Sequence, residues 1–378
     1  MIITALNENN NNETRVAITP NAVKHYLKLG FEIIVENNAG QAAGFSDADY
    51  EAVGAKIGSN RNSLLQKTKV LVSVSEPLPT DLQGLKANSL IIAPIDNSPE
   101  SDLLKWASKE KISVFSMNLI PRISRAQSMD SLSSQANLAG YRAVLEGVSH
   151  FNRAIPMMMT AAGMIQPAKI LVLGAGVAGL QAIATAKRLG AVVYAFDVRR
   201  AAKEQVESLG AEFIEVAEGQ DNETSGGYAS ETSKEYQLLQ AKLIDQYAKQ
   251  ADIVVATALI PGRKAPLLLL KETIEQMKPG SIIVDLATAR GGNSELSQCD
   301  KIVKLKNGVT IIGYSNLAGF VPATASELYA NNLVHLLNLL AANPPELTFN
   351  DEDEIIKQAM LCHEGNYLPF QSAKENAK

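Results

Sequence analysis

The residues of this chain best suited to chemistry lie between positions 169 and 200. Gly174, Gly176 and Gly179 follow the apolar run Lys169-Ile-Leu-Val-Leu173 and precede an alanine-rich stretch, 180–189. Asp197 closes the next apolar run, Val192-Val-Tyr-Ala-Phe196. A short β-branched and leucine run reads as a strand buried on both faces, and the alanine-rich stretch reads as a helix. Between the two, a G-x-G-x-x-G spacing serves three needs: a tight turn at Gly174, approach of the backbone to a pyrophosphate at Gly176, and close helix packing at Gly179. The helix start then presents free N–H groups to phosphate. Glycine motifs are common by themselves; the order strand, glycines, helix, acid gives this one its meaning. It predicts a nicotinamide dinucleotide held at Gly174, Ala175, Gly176, Val177 and Gly179. A carboxylate at position 197 can accept from both adenosine ribose hydroxyls and repels a 2′-phosphate, which favours NAD over NADP. Val198, Arg199 and Arg200 follow at once, and an arginine there can instead meet a 2′-phosphate, so both readings stand at this point.

These residues need a scaffold, and the hydrophobic pattern supplies one. With 378 residues, 46% of them hydrophobic and 20% charged, the chain suits two sizeable soluble domains. Before the glycines, apolar runs at 2–6, 32–36, 70–74, 90–93 and 113–116 alternate with helix-like stretches such as 21–28; after them come 212–216, 252–257, 281–285 and 310–313. This predicts an α/β fold: two Rossmann-like α/β domains separated by an NAD-binding cleft, the second a doubly wound parallel sheet. The expected division is 1–133, completed by 320–378, for the first domain and 134–319 for the second. The leucine-rich stretch 323–342 has helical spacing and is expected to cross back to the first domain, as is the joining segment 134–150. Between two such helices a cleft suited to nicotinamide chemistry is expected.

Several functions are excluded by what the composition lacks. The net charge is −5, with lysines and arginines scattered, which gives no nucleic-acid footprint. Cys299 and Cys362 are too few for a disulfide framework and lack zinc-site spacing, so no metal is expected. The N-terminus has no basic region and turns polar within seven positions, unlike a signal peptide. The most apolar stretch, 154–186, is interrupted by prolines, glycines and Lys169, so any membrane link is expected through a partner. Residues 9–12 read as a solvated loop and 351–378 as an acidic, polar tail. The polar stretch 217–233, with Gly226, Gly227 and Tyr228, reads as a closing loop or as a tolerated insertion.

A second dense segment narrows the function. Residues 121–144, Pro-Arg-Ile-Ser-Arg-Ala-Gln-Ser-Met-Asp-Ser-Leu-Ser-Ser-Gln-Ala-Asn-Leu-Ala-Gly-Tyr-Arg-Ala-Val, are rich in groups that orient polar ligands. Together with Glu13-Thr-Arg-Val-Ala-Ile-Thr-Pro20, the glycine motif, Thr257-Ala-Leu-Ile-Pro-Gly262 and Val284-Asp-Leu-Ala287 with Gly291-Gly-Asn293, this segment resembles the NAD(H)-binding alpha subunit of the proton-translocating NAD(P) transhydrogenases. The resemblance implies that Arg122, Gln127 and Asp130 lie over the nicotinamide with Ser133 beside them; the alternative for Arg122 and Asp130 is a structural ion pair. It implies that Tyr228 tips a loop over bound nucleotide, and that Thr257, with Ala258 and Leu259, lines the nucleotide. It further implies hydride transfer from bound NADH directly to NADP+ on an NADP(H)-binding partner component, proton movement through a membrane-spanning partner component, a homodimer, and a cytoplasmic place on the inner membrane. Direct hydride exchange needs proximity, orientation and dryness but no proton donor. That agrees with His25, His150, His335 and His363, which lie in no acid–base pattern.

Alanine dehydrogenases are similar too, and Arg15 matches the arginine with which they hold the substrate carboxylate. They also need a lysine before a Glu-Pro pair and a histidine after a later strand. Here Ser75 precedes Glu76-Pro77 and Asp96 ends Ala93-Pro-Ile-Asp96. Arg15 is therefore expected to be structural, and alanine oxidation is not expected. The other alternative is a non-catalytic NAD(H)-binding module.

Overall fold

Short β-branched runs alternate with helices in two large, mostly parallel sheets. The structure, a computed structural model, describes residues 1–8, 13–216, 234–260, 263–341 and 344–368. Its strands are β1 (Ile2–Ala5), β2 (Glu32–Glu36), β3 (Lys56–Gly58), β4 (Val70–Val72), β5 (Leu90–Ala93), β6 (Ser113–Ser116), β7 (Met158–Thr160), β8 (Gly163–Ile165), β9 (Lys169–Leu173), β10 (Val192–Phe196), β11 (Glu212–Phe213), β12 (Ile253–Ala256), β13 (Ile282–Asp285), β14 (Ile302–Lys304), β15 (Thr310–Ile312), β16 (Met360–His363) and β17 (Asn366–Tyr367). The chain divides into two compact units, 1–135 with 319–378, and 136–318.

In the first unit the sheet runs β17-β16-β6-β5-β4-β1-β2-β3. β1 to β6 are mutually parallel in the doubly wound order 3-2-1-4-5-6, and β16 and β17 extend the β6 edge antiparallel. Alternate residues feed two faces. Ile3, Ile33, Val70, Val72, Ile92 and Phe115 pack with Tyr329, Leu333 and Leu336 of the helix Pro322–Leu340, while Leu71, Ile91 and Val114 pack with Leu103, Leu104 and Leu361 on the other side. Local chemistry fixes the helix starts. Thr19 caps Pro20–Lys28, with Pro20 supplying a preset φ, and Ser46 and Asp49 form a reciprocal capping box on Asp47–Ala52. The stretch expected to be a polar tail is corrected by the structure. Within it, the helix Glu354–Ala359 leads into β16, whose Met360, Leu361 and Cys362 are buried against β6. An apolar run of three residues amid charges was too short to signal a strand.

In the second unit the sheet runs β11-β10-β9-β12-β13-β15-β14, parallel except for β14. Ile170, Val172, Ile253, Val255 and Val284 feed one core, and Leu171, Leu173, Val254, Ala256 and Ile283 the other. Burial on both faces explains why these strands are unbroken apolar runs. The registers place Leu173 opposite both Phe196 and Ala256, so β9, β10 and β12 end level. A separate hairpin, β7 with β8, exposes Met157, Met158, Met159, Met164 and Ile165. Among the described residues, no helix is long and apolar enough to cross a membrane, and no group of three or more His, Cys, Asp or Glu is placed to hold a metal.

Candidate functional site

Because β9, β10 and β12 end at one level where the winding reverses, the residues that follow them meet at the switch point of the second sheet, where doubly wound folds bind ligands. Gly174 stands at φ +96°, and a Cβ there would lie 2.8 Å from the Thr257 hydroxyl and 3.1 Å from the Ala258 nitrogen. Only glycine makes this turn without strain. A Cβ on Gly179 would lie 1.8 Å from the Gly174 carbonyl oxygen, so the helix Val177–Arg188 packs directly on the turn. At Gly176, by contrast, a Cβ would meet nothing within 4 Å. The middle glycine thus leaves open space above the turn, and no side chain caps the helix that starts there. Free N–H groups facing open space are the donor set that a pyrophosphate requires. The three positions therefore fit a dinucleotide, each for a different structural reason.

The acid of the motif is more heavily engaged than the sequence suggests. Asp197 Oδ2 accepts from the Ala175 N–H at 2.7 Å and from Arg199 Nη2 at 2.9 Å; its Oδ1 accepts from the Arg199 backbone N–H and Nε, both at 2.9 Å. Arg199 is thus folded back onto Asp197, and Val198 lies half-buried between them. A ribose hydroxyl pair that docks on this carboxylate displaces the flexible guanidinium more readily than the Ala175 N–H, which the turn fixes. Thr257 closes the opposite wall: its hydroxyl donates to the Gly174 carbonyl at 3.0 Å, and its N–H donates to the Leu173 carbonyl at 2.8 Å. Ala258 is half-buried and Leu259 is 46% exposed, so this strip offers apolar surface beside the turn. Tyr228 lies outside the described residues, as do Pro261, Gly262 and the polar stretches 9–12 and 217–233.

Arg122, Gln127, Asp130 and Ser133 all belong to the first unit. Gln127 sits on the 3-10 turn Ser124–Met129 with its side chain exposed, and Arg122 is exposed just before that turn. Asp130 has a defined job: its carboxylate accepts from the Ser133 N–H at 2.9 Å and the Ser133 hydroxyl at 2.6 Å, capping the helix Ser131–His150. Helix capping is thus a structural use of this acid that does not require Arg122, and it ties two of the four residues together. Arg15 is committed as well. It pairs with both carboxylate oxygens of Glu13 through Nε and Nη2, at 2.8 and 2.7 Å, and Nη1 donates to Gln135 at 2.8 Å.

Two features take their roles from the three-dimensional structure. Glu8 reaches across the ends of β1 and β4 to accept from the Val74 N–H, the Ser75 N–H and the Ser75 hydroxyl at 2.9, 3.0 and 2.5 Å. Burial raises its pKa to about 7 in spite of these donors. Asp285 and Asn293, both within the stretches 284–287 and 291–293 that carry the resemblance, form a buried knot behind Ala258.

Comparison with known proteins places these residues in a family. The N-terminal domain model of alanine dehydrogenase/PNT matches residues 4–139, and the C-terminal domain model matches residues 143–369. The chain is 44% identical to the first of the chains that make up NAD(P) transhydrogenase subunit alpha in Rickettsia prowazekii, over 98% of this chain and 97% of the relative, and 46% identical to its counterpart from Rhodospirillum rubrum, over 93% and 94%. A solved transhydrogenase structure from Sinorhizobium meliloti superposes with a TM-score of 0.88 at 45% identity, covering 97% of this chain and 100% of that one. An L-alanine dehydrogenase structure, at 23% identity and a TM-score of 0.79, shares the fold. Matched through both of its domains, the chain belongs to the alanine dehydrogenase/PNT family, within its NAD(P) transhydrogenase alpha subunits.

Proposed function

We propose that this chain holds NAD(H) at the glycine turn of its second unit and passes hydride to NADP+ carried by a separate NADP(H)-binding component, with proton movement through a membrane-spanning component. The observation that carries the reading is the turn itself: glycine required at 174 and 179, and open space at 176 before an uncapped helix start. When bound, the dihydronicotinamide supplies a hydride and leaves no proton to be placed. The chain's work is then to bind, orient and keep dry. Asp197 and Thr257 wall the turn, while Gln127 and Arg122, exposed and near each other in the chain, orient polar groups of either nucleotide. Asp130 and Ser133 fix the helix start from which that segment hangs. A peripheral place on the inner membrane follows from partners that span it.

Homodimerisation belongs to the same reading. An isolated two-stranded hairpin is marginal in water, and the segment that forms β7 and β8 exposes five large apolar residues that a second copy would cover.

The test is reconstitution. The purified chain mixed with its NADP(H)-binding and membrane components is expected to accelerate hydride exchange between NADH and an NADP+ analogue; NADH binding with no exchange would leave a binding module. Alanine-dependent NADH formation is expected to be absent. The positions at which alanine dehydrogenases carry a lysine and a histidine are Ser75, bonded to Glu8, and Asp96, which accepts from Asn118 at 2.9 Å. Steady formation of NADH from alanine would overturn that expectation.

A further inference from the structure

Asp285, at the end of β13, is fully buried, and its carboxylate accepts from the N–H groups of Ala287, Asn293 and Ser294 at 2.9, 2.9 and 3.0 Å. Two of those bonds fix the backbone on both sides of the Asn293 side chain. Gly291 and Gly292, at φ +100° and +82°, turn the chain inward so that Asn293 is delivered with 0% exposure; a Cβ on Gly292 would lie 2.9 Å from the Asp285 carboxylate. Asn293 then uses its whole amide. Nδ2 donates to the carbonyls of Ala258 and Pro266 at 2.9 and 2.8 Å, and Oδ1 accepts from the Ala258 N–H at 3.1 Å. One side chain therefore satisfies both polar groups of Ala258, as a neighbouring strand would. Thr257, the next residue, bonds the Gly174 carbonyl. An unbroken series of contacts links Asp285, Asn293, Ala258, Thr257 and the glycine turn.

We propose that Asn293 is a positioning residue for the dinucleotide site, held by Asp285 and setting the height of the wall 257–259 against the glycine turn. The proposal rests on the reading of that turn as the NAD(H) site. A buried amide that merely tied down a loop would end its bonds on backbone remote from the turn. Here two of three end on the residue that follows Thr257. A displacement of the wall of about 1 Å is enough to cost a large factor in binding and rate.

Asn307 provides the control. It lies at the opposite end of the same sheet and likewise spends its amide on backbone, donating to the Ile274 carbonyl at 2.9 Å and accepting from the Val309 N–H at 3.2 Å. NADH affinity is measured by fluorescence titration on the full chain, at a temperature where circular dichroism shows each variant folded. Asn293→Ala is expected to weaken NADH by about tenfold or more, and Asn293→Asp, which sets a buried acceptor against the Ala258 and Pro266 carbonyls, by at least as much. Asn307→Ala is expected to stay within about twofold while losing comparable thermal stability. An effect of Asn293→Ala no larger than that of Asn307→Ala overturns the proposal. If the Asn293 variants do not fold, hydrogen exchange on the unmodified chain decides. NADH is expected to slow exchange at the Ala258 amide, and unchanged exchange there overturns the proposal. An unmodified chain that binds no NADH overturns the reading of the turn, and the proposal with it; binding without these effects overturns the proposal alone.

Discussion

Asp197 carries four donated hydrogen bonds on two oxygens, three of them from Arg199. On the proposed function, that arrangement makes the nucleotide preference a property of a pair. With the carboxylate present, Arg199 is neutralised and folded back; with it removed, a guanidinium is freed beside Arg200. Asp197→Ala is expected to weaken NADH by roughly tenfold through loss of charge-assisted bonds and to narrow the discrimination against NADPH, read as the ratio of the two dissociation constants. An unaltered ratio would remove Asp197 from the ribose. Gln127 tests transfer rather than binding. Shortening it to Asn withdraws its amide by about one methylene, so NADH affinity should stay within a few-fold while hydride transfer slows by about a hundredfold in stopped-flow measurements. Equal losses in both would argue for simple binding. At this scale the glycine turn was fully legible, because positive φ and close packing are local demands. The engagement of Asp197 by Arg199 was not, because a side chain two residues on can fold back or point away with the same sequence.

Among the elements, the parallel strands were readable because burial on both faces demands continuous apolar runs, as in Ile170 to Leu173 and Ile282 to Val284. Short or exposed strands carry no such signature. β16 hides three buried residues in an acidic stretch, and β7 and β8 are exposed throughout, so their side chains follow no inside–outside rule. Asp285 and Asn293 stood out in the sequence as part of the resemblance, but their bonding did not, since its meaning lies in a partner 35 positions away. The hairpin makes a prediction of its own. Replacing Met159, 75% exposed, and Met164, 55% exposed, by aspartate should leave the melting temperature of the monomer nearly unchanged while converting a dimer to monomer in sedimentation at micromolar concentration. A dimer that survives both charges would place its interface elsewhere.

For the molecule as a whole, Glu8 couples stability to pH. Its carboxyl group titrates at about 7 in the folded chain, above the ordinary range, because burial disfavours the charge and Glu13 adds repulsion. The folded form therefore binds this proton more tightly than the unfolded form. The contribution is complete below the ordinary carboxylate range and is lost as pH rises through about 7. The first unit's melting temperature should accordingly fall by a few degrees between about pH 5 and 8, and Glu8→Gln should flatten that dependence. A parallel decline in parent and variant would assign the slope to other groups.

The first unit is also discontinuous: residues 1–135 share it with residues 319–378, whereas the second unit is one uninterrupted segment. The helix Pro322–Leu340 puts Tyr329, Leu333 and Leu336 into the same core as Ile3 and Ile33, and β16 lines the edge of β6. During synthesis on the ribosome, residues 1–135 must therefore wait for residues 319–378 before their core can close. The middle of the chain has no such wait. The unit that carries the glycine turn is free to fold first, while its neighbour depends on a segment made more than 180 positions later.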